Sequence, residues 1–313
     1  MYKKLIDKIN EYQTIIIHRH FRPDGDALGS QIGLKEIIKA NFENKKVLIT
    51  GDTNDRFSFV GGMDEVLDSD YKDCLAIIVD SGSESLISDE RYKLASFTIK
   101  IDHHLSGNDY ADLNIVDVNE ISCASLIAKI AITNNLKFTS IGARALFIGL
   151  VTDSSRFRYK GVTSQTFNIA SILTQYDFSI DEIYQKLYVE EYESIKLRAY
   201  FTLNISTTKM NVAYIKTPYE DILKYKTDVF TVSRGMVNVM SGIKGIDIWV
   251  NFTEDENKKV IAELRSSKYN INQVAVKYGG GGHKLASGAT LNNFDEANNL
   301  LKDLEKLMEV ESD

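Results

Sequence analysis

Four near-continuous apolar runs lie in the first 104 residues: TIIIHRH (14–20), KVLIT (46–50), CLAIIVDS (74–81) and TIKIDHH (98–104). They constrain the fold more than any other feature of the chain. Runs without polar alternation suit strands buried on both faces, as in a parallel sheet. Between the first two, ALGSQIGLKEIIKANF (27–42) spaces its apolar residues at the helical period. This strand–helix–strand rhythm predicts an α/β domain with a parallel sheet and helices on both faces.

The rest of the chain changes texture in stages. Segments 121–136 and 140–152 read as helices, and 163–201 is strongly helical, with no glycine or proline. From about 208, NVAYIK, IDIWVNFTED and KKVIAELRSS read as antiparallel strands, the last two joined by a turn at DEN. FTVSRGMVNVM reads as a helix between the first two. A glycine-rich loop, YGGGGHKLASG (278–288), precedes a final helix over 294–309. A length of 313 residues favours two domains. The expected organisation is a catalytic α/β domain over 1–190, a helical connector over 191–207, and a smaller α/β domain over 208–313.

Composition excludes several function classes. The net charge of −7 argues against a protein that grips long nucleic acid, because phosphate contacts require a basic surface. A short polyanion held at a local positive site remains compatible. No apolar run is long enough to span a bilayer, and MYKKLIDKINEYQ lacks the core of a signal peptide. Cys74 and Cys123 lack CxxC spacing and sit in apolar surroundings. These features lead to an expectation of a reducing, cytoplasmic setting.

Ligands of parallel α/β sheets bind outside the carboxyl ends of the strands. Four polar clusters fall there: His20 with Asp24 and Asp26, then Asp80, then Asp102-His103-His104, and Asp153 after the apolar run LFIGLVT. Of five histidines, His18, His20, His103 and His104 lie at the ends of two expected strands, and His283 lies in the glycine loop. Each cluster alone has an ordinary explanation as a cap or turn. Together they do not. Asp24, Asp26, Asp80 and Asp153 gathered in one cleft would repel unless some took up protons. Two divalent cations neutralise four carboxylates, and a closely spaced cation pair is a common clamp for phosphoester hydrolysis.

At these residues the chain resembles the DHH phosphoesterase family. HRHFRPDGDALGS, IIVDSGS, IDHH and GLVTDSSRFRY resemble its four motifs in order, and YGGGGHKLASGA resembles the GGGH motif of the partner domain, DHHA1. The resemblance implies one metal on His20, Asp24 and Asp80, and a second on Asp26, Asp80, His103 and Asp153, with Asp80 bridging. It implies that Asp102 orients a neighbouring imidazole and that His104 meets the substrate phosphate or leaving group. Mixed imidazole and carboxylate ligands suit Mn2+ better than Mg2+. His18 matches no motif and reads as structural.

The glycine loop is not a Walker A loop, because G-x4-G-K-[ST] is absent. Gly280, Gly281 and Gly282 would let backbone N–H groups approach a phosphate, with His283 beside them. Arg265 and Ser266 match the family's second anion contact, and Arg158 is a further phosphate candidate. The similarity is strongest to the stand-alone bacterial branch of oligoribonucleases, pAp phosphatases and linear di-adenylate (pApA) phosphodiesterases. It implies hydrolysis of very short oligoribonucleotides or dinucleotides to nucleoside monophosphates, with pAp converted to AMP and a role in cyclic di-AMP and short-RNA turnover. Homodimerisation is compatible with this expectation. A family II inorganic pyrophosphatase is one alternative, but its basic SRKKQ-type motif is replaced here by GGGGHK. A RecJ-like exonuclease would need a further nucleic-acid-binding domain. A non-catalytic nucleotide sensor is the alternative of another class, and the complete ligand set argues against it.

Overall fold

Side chains alternate between two buried faces along the first strand: Ile15 and Ile17 join one apolar cluster, and Ile16 joins another on the opposite face. The structure, a computed structural model, describes residues 2–105 and 108–310. The chain divides into two units, up to Val189 and from Glu190.

In the first unit α1 (Tyr2–Glu11) leads into β1 (Thr14–His18), followed by α2 (Gly25–Asn41), β2 (Lys46–Ile49), β3 (Cys74–Val79), β4 (Phe97–Asp102) and β5 (Leu113–Val116). Helices α3 (Cys123–Thr133), α4 (Ser140–Asp153), α5 (Ser164–Leu173) and α6 (Ile180–Tyr188) complete it. The sheet order is β2-β1-β3-β4-β5, all parallel. One face packs on α2 and α3, and α4 packs against those two helices. The other is covered by 3-10 helical turns at Asp68–Tyr71 and Glu90–Leu94, through Tyr71 and Tyr92. Each fully buried isoleucine or leucine contributes roughly 1.5–3 kcal/mol, so the six buried residues of β3 anchor the sheet centre.

Helices α2 and α4 meet at glycines. A Cβ on Gly149 would lie 2.6 Å from Ala124 Cβ and 2.7 Å from Asp26 Oδ1. This close approach brings the N-terminus of α2 beside the C-terminus of α4, which carries Asp153.

The second unit contains α7 (Tyr192–Leu203), β6 (Ser206–Thr207), β7 (Val212–Thr217), α8 (Tyr219–Lys224), β8 (Ile248–Glu254), β9 (Val260–Ser266), α9 (Asn272–Lys277), β10 (Gly281–His283), β11 (Ala286–Leu291) and α10 (Phe294–Val310). Segment 191–207, expected as a connector, thus holds α7 and β6, and Leu197 and Phe201 of α7 pack under β7 and β8. Leu300, Leu301 and Leu304 of α10 cover the opposite face.

Two expectations are corrected here. The sheet, ordered β10-β11-β9-β8-β7-β6, is mixed: β7 and β8 run parallel, not antiparallel. The long connection over 218–247 allows the crossover that a parallel pair needs. Only β8 and β9 form the expected hairpin. Segment FTVSRGMVNVM is not one α-helix but a π turn (Thr231–Gly235) and a 3-10 turn (Val237–Met240). Asn251 Nδ2 donates to the carbonyls of Val232 and Ser233, at 2.6 and 3.0 Å. The Val232 carbonyl shares this contact with the Met236 N–H at 3.3 Å, so the segment is tied to the sheet as well as to its own turn.

Among the described residues, no helix is long and apolar enough to cross a membrane. Cys74 and Cys123 are free and buried.

Candidate metal centre

The chain ends of β1, β3 and β4 and the facing termini of α2 and α4 deliver the acidic and imidazole groups to one place. Asp24 caps α2, its Oδ1 accepting from the backbone N–H groups of Asp26 and Ala27 at 3.0 Å each. Asp26 is fully buried in the first turn of α2. Its carboxylate accepts from the N–H groups of Cys123 (2.7 Å) and Ala124 (2.9 Å), at the start of α3. Asp80 follows β3 with φ of 50°, a left-handed conformation that aspartate tolerates at some cost. It lies between two imidazoles: His20 Nε2 is 3.5 Å from its Oδ2, and His103 Nε2 is 3.5 Å from its Oδ1. His20 Nε2 is also 3.9 Å from Asp24, and His103 Nε2 is 3.8 Å from Asp26 and 3.3 Å from Asp153.

The three histidines share one arrangement. In each, Nδ1 meets an oxygen: the Phe21 carbonyl at 2.8 Å for His20, the Glu120 carbonyl at 3.3 Å for His103, and Asp102 Oδ1 at 2.7 Å for His104. A carbonyl only accepts, so Nδ1 of His20 and His103 carries the hydrogen, and in the neutral ring Nε2 keeps its lone pair. Asp102, fully buried, pairs with buried Lys100 at 3.1 Å on its other oxygen.

The electrostatics show what the centre lacks. Burial, reinforced by the charges of Asp80 and Asp153, raises Asp26 well above the ordinary carboxylate range. Burial with Asp80 and Asp24 pushes Asp153 up to about 7. Burial lowers His20 and His103, but their Asp80 contacts outweigh it and lift them to about 9 and about 8. Burial opposes ionisation of Asp80, yet the facing imidazoles of His103 and His20, each 3.5 Å away, hold it low. Without added positive charge, protons fill the site.

Two orphaned atoms test whether cations fit. Asp80 Oδ1 and His103 Nε2 are buried without a hydrogen-bond partner, a costly state for both. Two trios offer ligand atoms within 4.8 Å of one another: His20, Asp24 and Asp80, and Asp26, His103 and Asp153. A third trio, Asp80 with His103 and His104, also meets that limit. The 2.7 Å bond to Asp102 commits His104 Nδ1, however, and leaves its Nε2 for another role. The oxygen and imidazole donors fit divalent cations.

His18 lies outside this group. It is buried against Tyr71, whose hydroxyl is 3.2 Å from its Nε2, and burial pushes it down to about 4. Arg158 is exposed and turns back to Ser155, 3.2 Å from both its carbonyl and its Oγ.

The remaining candidates lie in the second unit, around a cavity of about 510 Å³. Arg265, Gly280, Gly281 and Gly282 line it. Gly282 has φ of 141°, and a Cβ there would sit 2.6 Å from the Ala286 carbonyl. Ser266 and His283 are not in the lining. Ser266 is buried on the other face of β9, where its Oγ accepts from the N–H groups of Lys268 and Tyr269 at 3.1 and 2.8 Å. His283 is exposed on β10. The cavity adds Arg234 and Glu263, which the motifs did not single out. Glu263 stands two residues before Arg265, on the same strand face, and that spacing could have pointed to it. Arg234 is distant in sequence and gives no such signal.

Comparisons with known proteins agree with this layout. The model of the DHH family, N-terminal domain, matches residues 14–150, and that of the DHHA1 domain matches residues 226–310. The chain is 39% identical over 308 residues to the "Probable bifunctional oligoribonuclease and PAP phosphatase NrnA" of Streptococcus mutans, covering 98% of this chain and 99% of that protein. It is 35% identical to the "Bifunctional oligoribonuclease and PAP phosphatase NrnA" of Bacillus subtilis, covering 98% of each. Among solved structures, an exopolyphosphatase-related protein from Bacteroides fragilis superposes with a TM-score of 0.81 at 24% identity, covering 100% of this chain and 97% of that one. That likeness concerns the fold.

Proposed function

The chain belongs to the DHH family of phosphoesterases, and from this premise we propose that it hydrolyses very short linear oligoribonucleotides to nucleoside monophosphates and pAp to AMP. The observation that carries the proposal is the pair of ligand trios meeting at Asp80, with unpartnered Asp80 Oδ1 and His103 Nε2 between them. Relatives that span nearly the whole chain carry names for oligoribonuclease and PAP phosphatase activity.

In this proposal His20, Asp24 and Asp80 hold one cation, and Asp26, Asp80, His103 and Asp153 hold the other. The imidazole donors favour Mn2+ over Mg2+. Bound cations supply Lewis acidity, drawing charge from the phosphoryl oxygens and making water acidic near neutral pH. The protein's own groups then do the orienting. The Phe21 and Glu120 carbonyls fix the tautomers of His20 and His103. The N–H groups of Cys123 and Ala124 fix the Asp26 carboxylate in place and favour its ionised form against burial. Asp102 pins His104 by its Nδ1, so Nε2 is free to donate a hydrogen bond or a proton to the leaving oxygen. Arg265 and the glycine N–H groups of the second unit recognise a phosphate of the substrate.

The test is product analysis with Mn2+, setting dinucleotides, five-mers, pAp and cyclic di-adenylate side by side. The proposal expects monophosphates from dinucleotides and AMP from pAp. Equal rates on a dinucleotide and on long RNA would sink the short-substrate assignment.

A further inference from the structure

The cavity of the second unit has three charged lining residues: Arg234, Glu263 and Arg265. The other wall is largely backbone, from Gly279 to Gly282 and at Gly288. Its charged side chains therefore sum to one positive charge, in a chain whose net charge is −7. An anion finds a local attraction here that the chain as a whole does not offer.

Glu263 is the unusual member. Its residue is only 7% exposed, and its carboxylate is shared. Oε1 accepts from Arg234 Nε at 3.1 Å, and Oε2 accepts from Arg265 Nη1 at 3.1 Å. Across the sheet its partner is Gly288, which has no side chain to crowd it. Arg265 is further tied by Nη1 to the Leu264 carbonyl at 2.8 Å. Arg234 lies over the Phe230 ring at 5.5 Å. Two guanidinium groups are thus held side by side at the mouth of a glycine-walled cavity. Each carries five N–H donors, and these contacts engage a minority of them.

We propose that Arg234 is a second guanidinium contact for a terminal phosphate monoester of the substrate, and that Glu263 is the positioning residue that holds it beside Arg265. This rests on the assignment of the second unit to substrate recognition. A terminal monoester offers three non-bridging oxygens and nearly two negative charges at neutral pH, against two oxygens and one charge for an internal diester. Paired planar forks match the former. Without Glu263, the two cations would repel, and Arg234, whose side chain is 64% exposed, would move to water. The substrate class is therefore narrowed to short nucleotides that end in a phosphate.

The experiment uses the full chain loaded with Mn2+ and two dinucleotides that differ by one group, pApA and ApA. The readout is the ratio of their kcat/KM values, which a merely structural role would not move. R234A should lower this ratio about tenfold, mainly through KM for pApA. R234K should fall nearly as far, because lysine keeps the charge but lacks the fork. E263Q, which keeps shape, should also lower the ratio, with its fold checked by thermal melting. A ratio within twofold of the parent in R234A overturns the Arg234 contact; the same result in folded E263Q overturns the positioning role. Should the parent protein hydrolyse neither dinucleotide, the proposed activity fails, and calorimetric affinities of pApA and ApA for the same variants still decide the inference.

Discussion

In the proposed function the two units handle phosphate with opposite materials. The first assembles its centre from buried side-chain charge: Asp26 and Asp80 are shut away from water, and histidines are fixed by their second nitrogen. The second lines its cavity with glycine backbone and one guanidinium pair around a shared carboxylate. Buried charge must be matched almost completely, so the first site has little tolerance for change. A backbone wall with one exposed and one half-buried arginine should lose affinity gradually. This contrast predicts that lesions in the first unit abolish turnover, while lesions in the second weaken recognition.

The sharpest way to break the contrast is Asp80→Ala or Asp153→Ala. Each should lower kcat by about a thousandfold or more, the size expected when several kcal/mol of transition-state stabilisation is lost. Persistent activity in both would show that the trios around Asp80 are not the metal site. Asp102→Asn keeps the shape but weakens the hold on His104, and should cost about 10–100-fold in kcat. In the second unit, Arg265→Ala should raise KM for pAp about tenfold while kcat changes far less. A collapse of kcat instead would mean that the two units do not divide the work.

Acidity sharpens the same comparison. In the metal-free protein, His20 at about 9, His103 at about 8 and Asp153 at about 7 all bind protons more tightly than in the unfolded chain. A raised folded-state value stabilises at low pH, and that stability is lost as pH rises through the folded value. The metal-free first unit should therefore melt lower at pH 9 than at pH 6. Cations compete with those same protons, so metal affinity should rise over this window and the loaded protein should show the reverse trend. Calorimetry with and without chelator checks both signs. The smallest expected effect is on stability. Gly149→Ala crowds Ala124 and Asp26 and should cost roughly 1–3 kcal/mol in denaturant unfolding.

The sequence reveals the first unit more readily than the second for a physical reason. Strands buried on both faces leave long apolar runs, and the chain ends of such strands hold the reactive groups, so His20, Asp80 and Asp102-His103-His104 were legible by position alone. The short edge strand β5 was not legible, because four residues of LNIV carry too little pattern. In the second unit, strand direction depends on what the 218–247 connection does in space, so β7 and β8 appeared antiparallel until their pairing was seen. The place of Ser266 beside Arg265 in sequence concealed that successive strand residues face opposite ways. Arg234 reaches the cavity only because of a tertiary contact with Glu263, and no local spacing encodes that.

The bonds to Asp26 have a consequence for biosynthesis. Its carboxylate is anchored by the N–H groups of Cys123 and Ala124, 97 and 98 positions further along the chain. Asp153 arrives later still, at the end of α4. A nascent polypeptide that has emerged only through His104 already carries seven of the eight acidic and imidazole groups, all but Asp153, yet Asp26 has no anchor and the second trio is incomplete. Translation must deliver the two helices that follow β5 before the ligand set can close. Chain elongation thus sets the earliest moment at which this ligand set can close.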